Sequence, residues 1–171
     1  AGLNPHYVVH PLEGIEAALE GFADVQYAKG CHTHKFLPAI NESLLQTDNQ
    51  DEKGYKVEFF DGKTFDSEPI HATHMLGRKF WGLNGFGLNE LAKSKSRSMS
   101  VRFTAEFTPD IDGEHSFEIF SIGPSRMKLD NAEVIDNWSS QDPGETFFSL
   151  GSAPRQCSLT LEKGRSYKLS V

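Results

Sequence analysis

Cysteine is scarce in this sequence, with Cys31 and Cys157 as the two examples among 171 residues. They are too few to build a disulfide framework and too far apart in sequence to form a metal-binding pair, so we expect free thiols.

Long apolar runs are also missing. No stretch approaches the roughly 20 apolar residues that cross a bilayer as a helix, and no charged and then apolar leader opens the chain. A membrane partner is therefore not expected.

Basic residues are outnumbered by acidic ones. Lys and Arg total 17 against 24 Asp and Glu, which gives a formal net charge of −7. Binding to nucleic acid depends on many Lys and Arg contacts to phosphates, with release of counterions. The one basic run, KSKSR at residues 93–97, is short and interleaved with serine, which is typical of a solvated loop. Nucleic acid is therefore not expected as a partner.

Histidine and glycine motifs do not indicate a cofactor. His32 and His34 lie two residues apart, and His71 and His74 lie three apart, but no carboxylate partner is fixed by either spacing. We favour surface or hydrogen-bonded histidines over metal ligands. The segment WGLNGFG at residues 81–87 lacks the Gly-x-Gly-x-x-Gly order, and no helix is predicted after it, so phosphate binding is not predicted.

The first forty residues show a different pattern of apolar and polar residues from the rest of the chain. Pro11 suits the first turn of a helix, and the apolar residues that follow recur at helical spacing. Gly21 can end this helix, and DVQYAKG at residues 24–30 predicts a short strand. A helix followed by a strand is typical of layered α/β domains, and it needs a sheet that this segment does not supply. The apolar helical positions are Leu12, Ile15, Ala18 and Leu19.

The remainder predicts a mainly β chain. Residues 41–54 are polar and acidic, which predicts a linker. From residue 55 to 171 short alternating runs are separated by Gly, Pro, Asn and Asp, which is typical of an antiparallel β-sandwich. Strands are predicted near residues 55–61, 67–75, 98–109, 114–122, 125–136, 145–151, 156–164 and 166–171.

The clearest alternation runs from Val101 to Phe107, with apolar residues at every second position. PDIDGE at residues 109–114 then predicts a turn, and Phe117 and Ile119 continue the apolar pattern. We predict a hairpin with a buried ladder of aromatic side chains. Further along, Asp130, Asn131 and Ala132 predict a tight turn, because Asp and Asn tolerate left-handed backbone and bond to nearby amides.

Two segments of the β-rich part of the chain resemble those of a known domain. DGEHSFEIFSIGPSRMKLDNAEVIDNW followed by CSLTLEKGRSYKLSV resembles the fourteen-kilodalton domain first described in anthrax protective antigen. The resemblance covers roughly residues 55–171 and implies a β-sandwich whose last strand is missing. The matching positions are Gly113, Phe117, Gly123, Ser125, Asp130, Val134, Ile135, Asp136, Leu159, Leu161, Lys163, Gly164 and Tyr167.

Residues 1–40 carry a second resemblance. LNPHYVVHPLEGI and ADVQYAKGC look like the αβα sandwich domain of fungal family-3 glycoside hydrolases, chiefly β-glucosidases, in the part that follows the barrel domain. Many fungal members carry the protective-antigen-type domain inserted at this place. The first residues include no initiator Met and the last alternating run looks unfinished, so we expect an internal piece of such an enzyme. A complete, shortened gene product is the alternative, and a missing leader says nothing about secretion.

The resemblance also implies that catalysis lies elsewhere. Retaining glycosidases use two carboxyl groups about 5 to 5.5 Å apart. The resembled family carries its nucleophilic Asp on the barrel domain before this segment and its acid/base on the sandwich domain after the insertion. We therefore assign no catalytic residue to this chain and do not expect it to hydrolyse a glycoside by itself.

Polar residues around the tight turn are candidates for binding. Asp130, Asn131 and Asp136 could bind sugar hydroxyls or calcium through their oxygen atoms. The alternative, which we favour, is a set of Asx turns and strand-end bonds to backbone amides. Adhesins of the resembled class bind sugar through calcium with two adjacent aspartates. The aspartates at Asp110 and Asp112 are separated, so no metal is predicted.

Aromatic residues after the turn are the second set of candidates. Trp138, Phe147 and Phe148 could stack on the flat face of a pyranose. Core packing is the alternative, although Phe147 and Phe148 as neighbours in a strand would point to opposite faces. The resemblance implies that inserted domains of this type can reach over the active-site mouth.

We expect the sandwich to rim the catalytic pocket of a β-glucosidase that acts on terminal β-D-glucosyl residues. Its partners would be short β-glucosides and the remaining domains of the parent enzyme. An independent carbohydrate-binding or adhesion module is one alternative, and a structural insertion that braces domains or a homo-oligomer is another. The sequons at Asn41 and Asn137 would accept a glycan only in a secreted parent.

Overall fold

The computed structural model describes residues 7–28, 30–31, 33–48, 52–76, 98–145 and 148–171. The chain divides into two compact units, residues 1–35 and residues 36–171. His32, Phe147, the glycine-rich segment 81–87 and the basic run 93–97 lie outside the described residues.

The first unit contains helix α1, Pro11–Ala18. Pro11 occupies the start of the helix, where its missing N–H costs nothing, and the Glu13 carboxylate accepts a hydrogen bond from the His10 backbone N–H at 3.3 Å. The predicted helix is therefore confirmed. The strand predicted at residues 24–30 is wrong for the described part, because residues 23–28 form none. A strand needs a hydrogen-bonded neighbour, and the described residues of this unit offer none.

The second unit is built from antiparallel strands, preceded by a single 3-10 turn at Glu42–Leu44. The prediction of a mainly β, antiparallel sandwich is confirmed. The strands are β1 (Leu45–Gln46), β2 (Tyr55–Asp61), β3 (His71–Met75), β4 (Met99–Phe107), β5 (Gly113–Ile119), β6 (Ser125–Leu129), β7 (Ala132–Asn137), β8 (Arg155–Leu161) and β9 (Tyr167–Ser170).

In the described residues of this unit, two sheets form the layers of the sandwich. The larger sheet has the order β3-β2-β4-β9-β6-β7, and β1 pairs with β4; the smaller sheet is the pair β5-β8. The core between them holds apolar side chains from both layers. Each buried Phe there stabilises the fold by roughly 1.5 to 3 kcal/mol relative to exposure. The core residues are Leu45, Ala105, Phe107, Phe117, Met127, Leu129, Ile135, Leu161, Tyr167 and Leu169.

The predicted β4-β5 hairpin is wrong. β4 pairs with β1, β2 and β9, whereas β5 pairs with β8. The two strands lie in opposite layers, and the rings of Phe107 and Phe117 meet across the core with centroids 5.6 Å apart and nearly perpendicular planes. Alternation identifies the buried face of each strand but not its partner, and the five-residue connection, residues 108–112, is longer than the two-residue turns that force a hairpin.

The predicted linker includes part of the sandwich. Leu45 is completely buried in the main core, and its strand β1 pairs with β4. Asn41 begins this segment, and its Oδ1 accepts a hydrogen bond from the Ser43 backbone N–H at 3.1 Å. The polar residues around Leu45 conceal it in the sequence, because one buried side chain is too short a pattern to indicate a strand.

The remaining sequence expectations concern isolated groups. Cys31 and Cys157 are both free thiols, as predicted. His74 on β3 contacts the Lys53 carbonyl oxygen through a ring nitrogen. In the described part of the chain, no three side chains of His, Cys, Asp or Glu converge as metal ligands. None of the described helices is both long and apolar enough to span a bilayer.

Candidate functional site

A groove of about 1370 Å³ is lined by polar residues on the outer face of the larger sheet and by apolar residues of its core-facing side, among them Val101, Phe103 and Val171. Alternation along β4 creates the two faces: Ala105 and Phe107 enter the core, while Arg102 and Thr104 line the groove. The loops before β6 and after β7 continue the groove beyond the strands. Trp138 and Phe148 line it there.

The floor of the groove follows a row of residues across four strands. Lys56 of β2 is paired with Thr104 of β4, Thr104 with Ser170 of β9, and Ser170 with Lys128 of β6. Neighbouring strands lie about 4.8 Å apart, so two small hydroxyl side chains separate two lysines. This row therefore leaves room above its two small side chains and places a cation on each side of them.

Glu58 carries one buried negative charge beside this row. Its carboxylate lies 2.8 Å from the Lys56 ammonium and accepts hydrogen bonds from Arg102 Nη2 at 2.9 Å and Nε at 3.0 Å. Burial alone would raise the pKa of Glu58, but the hydrogen bonds from Lys56 and Arg102 outweigh it and hold the pKa below its usual value. Glu58 therefore stays ionised and fixes both cations.

Aromatic rings and guanidinium groups form a continuous cluster along the groove. Arg102 lies over the ring of Phe60 at 4.8 Å, and Phe65 meets Phe60 edge to face at 5.2 Å. Phe65 in turn lies 6.5 Å from Trp138, whose ring is covered by Arg126 at 4.8 Å. Such cation-π contacts hold guanidinium groups flat on rings and leave their edges available as donors.

Trp138 is held by a turn at the end of β7. Oδ1 of Asp136 accepts hydrogen bonds from the backbone N–H groups of Trp138 at 2.8 Å and Ser139 at 2.9 Å. The bonds from Ser139 and then Trp138 lower the pKa of Asp136. Asp136 therefore acts as a strand-end acceptor, in agreement with the reading favoured from the sequence.

The two predicted site residues in the turn between β6 and β7, Asp130 and Asn131, have different roles. Asp130 and Asn131 both have positive φ, 50° and 69°. Asp130 is tied to β9, because its Oδ1 accepts from the Lys168 backbone N–H at 2.8 Å and its own N–H donates to the Lys168 carbonyl at 2.9 Å. Asn131 lines the groove. The structure thus brings Asn131, Trp138 and Phe148 to one groove and occupies Asp130 in the turn.

Phe148 lies at the tip of a small loop between β7 and β8. The two arms meet at a bridge between Pro143 and Ser152, and the Gly144 N–H donates to the Gly151 carbonyl at 2.8 Å. The strand predicted for residues 145–151 is therefore wrong in its described part, which turns back on itself. Phe148 and Ser149 have φ of 57° and 64°, and Phe148 is 93 % exposed. Left-handed backbone at such a residue is strained, and strain of this kind is concentrated at functional sites.

A buried amide anchors this loop. Asn137 is completely buried, and its Nδ2 donates to the hydroxyls of Ser125 at 2.9 Å, Ser152 at 3.0 Å and Ser121 at 3.4 Å. These serines belong to the start of β6, the loop arm and the segment after β5. Asn137 therefore joins three segments beneath the groove, and its sequon offers no exposed amide in the folded domain.

Most residues of the groove cannot be identified from the sequence alone. Local patterns do not single out Arg102, Arg126 and Lys128, although each lies at the polar position of an alternating strand. The signal was the accumulation of cations on the outer face of neighbouring strands. It becomes visible only when the order of strands in the sheet is known, because these strands are far apart in the chain.

The family model described as the PA14 domain matches residues 51–171. This chain belongs to the PA14 domain family. The resemblance to the protective-antigen-type domain, predicted from the sequence, is confirmed.

The relatives of this PA14 domain chain are enzymes several times longer. It is 31 % identical over 172 residues to a β-glucosidase of Rhizobium radiobacter, covering 100 % of this chain and 19 % of that protein. It is 30 % identical over 173 residues to probable β-glucosidase I of Emericella nidulans, covering 99 % of this chain and 20 % of that protein. The chain thus spans about a fifth of the curated relatives that it matches, and the predicted resemblance to fungal β-glucosidases is confirmed.

A solved structure supports the same assignment. The β-glucosidase of Kluyveromyces marxianus superposes with a TM-score of 0.71 at 29 % identity, and the match covers 99 % of this chain and 21 % of that one. The match therefore includes the residues that precede the PA14 domain as well as the domain itself. A second structure of that enzyme, in complex with glucose, gives a TM-score of 0.70.

Proposed function

We propose that this PA14 domain is part of a β-glucosidase that releases terminal β-D-glucosyl residues, and that it rims the active site and limits the length of the substrate. The relatives that match the whole chain are named β-glucosidases. The proposed arrangement places residues 1–40 in an αβα domain of the parent enzyme, residues 41–54 in a connecting segment and residues 55–171 in the inserted sandwich. The catalytic carboxylates belong to the parts of the enzyme outside this chain.

The observation that carries the proposal is the presentation of Phe148. Its side chain projects at the tip of a loop, almost fully exposed, and its backbone conformation is costly for a residue with a Cβ atom. A purely structural loop has no reason to expose a large ring at that cost. A protruding aromatic ring that lines the same groove as Trp138 suits contact with a pyranose. Phe147 precedes it and stays a predicted member of the same wall.

Replacement of the aromatic residues in the parent enzyme tests this function. Phe148→Ala and Trp138→Ala should raise kcat/KM for cellotetraose relative to cellobiose, because the wall that excludes longer chains is lowered. Phe147→Ala tests the third predicted ring. The matched control is Ile111→Ala, because Ile111 is also an exposed apolar residue but lies in the β4-β5 connection. An unchanged ratio in all three aromatic variants would remove the proposal.

A second function is favoured by the groove itself. Because the described part of the domain has a concave surface with aromatic and polar side chains, the domain could bind carbohydrate independently of catalysis. Calorimetric titration of the 171-residue chain with cellobiose, without the catalytic domains, separates the two functions. Measurable affinity together with an unchanged chain-length ratio would favour the independent module.

A further inference from the structure

We propose that the groove binds a saccharide that carries a carboxylate group, such as a uronic acid. This inference goes beyond the proposed function and does not depend on it, because it concerns affinity within the domain. Five of the 17 basic residues in the chain line the described part of the groove, but only two of the 24 acidic residues do. The cations are Lys56, Arg102, Arg126, Lys128 and Lys168, and the carboxylates are Asp48 and Glu58.

Three of the five cations already have partners. Lys56 and Arg102 share the buried Glu58, as described above. Arg126 stacks on Trp138 and lies 3.7 Å from the carboxylate of Glu133, a distance that gives a weak ion pair at an exposed site. These groups shape the groove more than they supply free charge.

Lys128 and Lys168 are the cations that remain. No carboxylate of the described residues lies within 4.0 Å of either ammonium group. Lys128 is paired with Ser170 across β6 and β9, and Lys168 lies two residues before Ser170 on the same face. Diagonal neighbours of this kind are within reach of long side chains, so one carboxylate could accept from both. An acidic residue faces each lysine in the register. Glu106 is opposite Lys168, and its carboxylate accepts from the Ser166 hydroxyl at 2.6 Å. Glu133 is opposite Lys128, and its carboxylate lies 3.7 Å from Arg126.

The surroundings favour a saccharide as the carrier of that carboxylate. Ser170 and Asn131 line the same groove as the two lysines, and their hydroxyl and amide groups can bond to sugar hydroxyls. The rings of Trp138 and Phe148 continue the groove and can pack on the apolar face of a pyranose. A concave site that combines aromatic side chains with converging polar groups is typical of small ligands.

The charge of the whole chain limits the size of the ligand. With a net charge of −7, the field of the chain repels a long polyanion. A short saccharide with one carboxylate gains the local attraction of Lys128 and Lys168 and incurs little of that repulsion. The geometry therefore points to an acidic disaccharide or trisaccharide and not to a polysaccharide of high charge.

Two matched disaccharides test the proposal on the 171-residue chain by calorimetric titration. Cellobiouronic acid has a carboxylate where cellobiose has a hydroxymethyl group at C6 of its non-reducing unit, and the two are otherwise alike. A hydrogen bond to a charged group is worth about 1.5 to 3 kcal/mol, so cellobiouronic acid should bind about tenfold or more tightly than cellobiose. That preference should shrink when salt is raised from 0.05 to 0.5 M, because salt screens exposed charges.

Lysine variants locate the interaction. Lys128→Met and Lys168→Met keep the apolar stem and remove the charge, and each should weaken cellobiouronic acid about tenfold without changing cellobiose. Lys163→Met is the control, because Lys163 lies in the exposed β8-β9 turn, and it should change neither affinity. Melting curves establish that the variants fold.

The following results would overturn the inference. Equal affinity of the unaltered chain for the two disaccharides, or no affinity for either, shows that the cations recognise no carboxylate. Binding of inorganic sulfate or of cellobiose 6′-sulfate in preference to cellobiouronic acid assigns the groove to another anion. An equal loss in Lys163→Met shows a general charge effect. Because the comparison of the two disaccharides uses the unaltered chain, it tests the proposed recognition of a carboxylate even if a lysine variant does not fold.

Discussion

Arg126 and Trp138 form the structural link between the cationic sheet face and the aromatic end of the groove. The guanidinium lies 4.8 Å from the centroid of the indole ring, and the backbone N–H of the same tryptophan donates to Asp136 at 2.8 Å. Ring and backbone are thus fixed from opposite ends of the residue. Trp138 remains 37 % exposed, so the ring is held in place and still accessible to a ligand.

Removal of the guanidinium should release this ring. In a Trp81→Phe background, where Trp138 is the one remaining tryptophan, we expect Arg126→Gln to shift the emission of Trp138 to longer wavelength because the ring gains contact with water. The free energy of unfolding should fall by about 0.5 to 1 kcal/mol. Arg165→Gln is a matched control, since Arg165 stacks on Tyr167 at the same 4.8 Å but far from Trp138 in the sequence. An identical emission spectrum in the two variants would contradict the role of Arg126.

Asn137 should be among the most sensitive polar positions of the sandwich. Asn137→Ala removes the amide that three serine hydroxyls share and leaves them without that donor in a buried site. We expect the free energy of unfolding to fall by about 2 to 3 kcal/mol in urea titrations. Gln46→Ala, an exposed position on β1, should change it by less than about 0.5 kcal/mol. Equal effects at the two positions would show that the amide does not anchor the loop.

The loop that carries Phe148 depends on the absence of a side chain at residue 144. A Cβ atom added to Gly144 would lie 2.3 Å from the Ser152 carbonyl oxygen, which is backbone and cannot rotate away. Gly144→Ala should therefore separate the arms of the loop, and the Ala153 amide, which donates to the Asp142 carbonyl, should lose protection from hydrogen exchange. Gly30→Ala is the control, because nothing lies within 4 Å of its added Cβ. Protection of Ala153 equal to that of the unaltered chain would contradict this account.

The ionisation of Glu58 should make the stability of the fold depend on the pH of the solution. Its folded pKa lies below the usual value of 4.5, so its contribution is fully present above the unfolded pKa and is lost as the pH falls through the folded pKa. Between pH 7 and pH 3, Tm of the unaltered chain should therefore fall more than Tm of Glu58→Gln. Glu133→Gln removes a carboxylate from an exposed pair and should keep the acid sensitivity of the unaltered chain. Parallel curves for the unaltered chain and Glu58→Gln would exclude this contribution.

Local patterns in the sequence predicted the strands well and their arrangement poorly. β2 was predicted with its observed bounds, and the Asp130-Asn131 turn lies between β6 and β7 as expected, because alternation and turn chemistry are encoded within a few residues. The partner of β4 was not encoded in this way. Its neighbours β2 and β9 are separated by most of the domain, and their pairing depends on packing of the whole sandwich.

The candidate site was predicted in part for the same reason. Trp138 and Phe148 could be selected because exposed aromatic residues near turns are conspicuous in a sequence, and both line the groove. Asp130 was also conspicuous, but its carboxylate is used in the turn. The lysines and arginines could not be selected, since single polar residues in strands are ordinary. Only the sheet order brings Lys128 beside Lys168.

The position of Leu45 has a practical consequence for transplanting this module between enzymes. The family match begins at residue 51, yet Leu45 is buried in the core and its strand β1 pairs with β4 inside the larger sheet. A graft that starts at the family boundary would leave a leucine-sized void, and deletion of a buried leucine side chain typically costs 2 to 5 kcal/mol. In chimeric glycosidases, the N-terminal junction of the transferred domain should therefore lie before Asn41, so that Leu45 and β1 are transferred together with the sandwich.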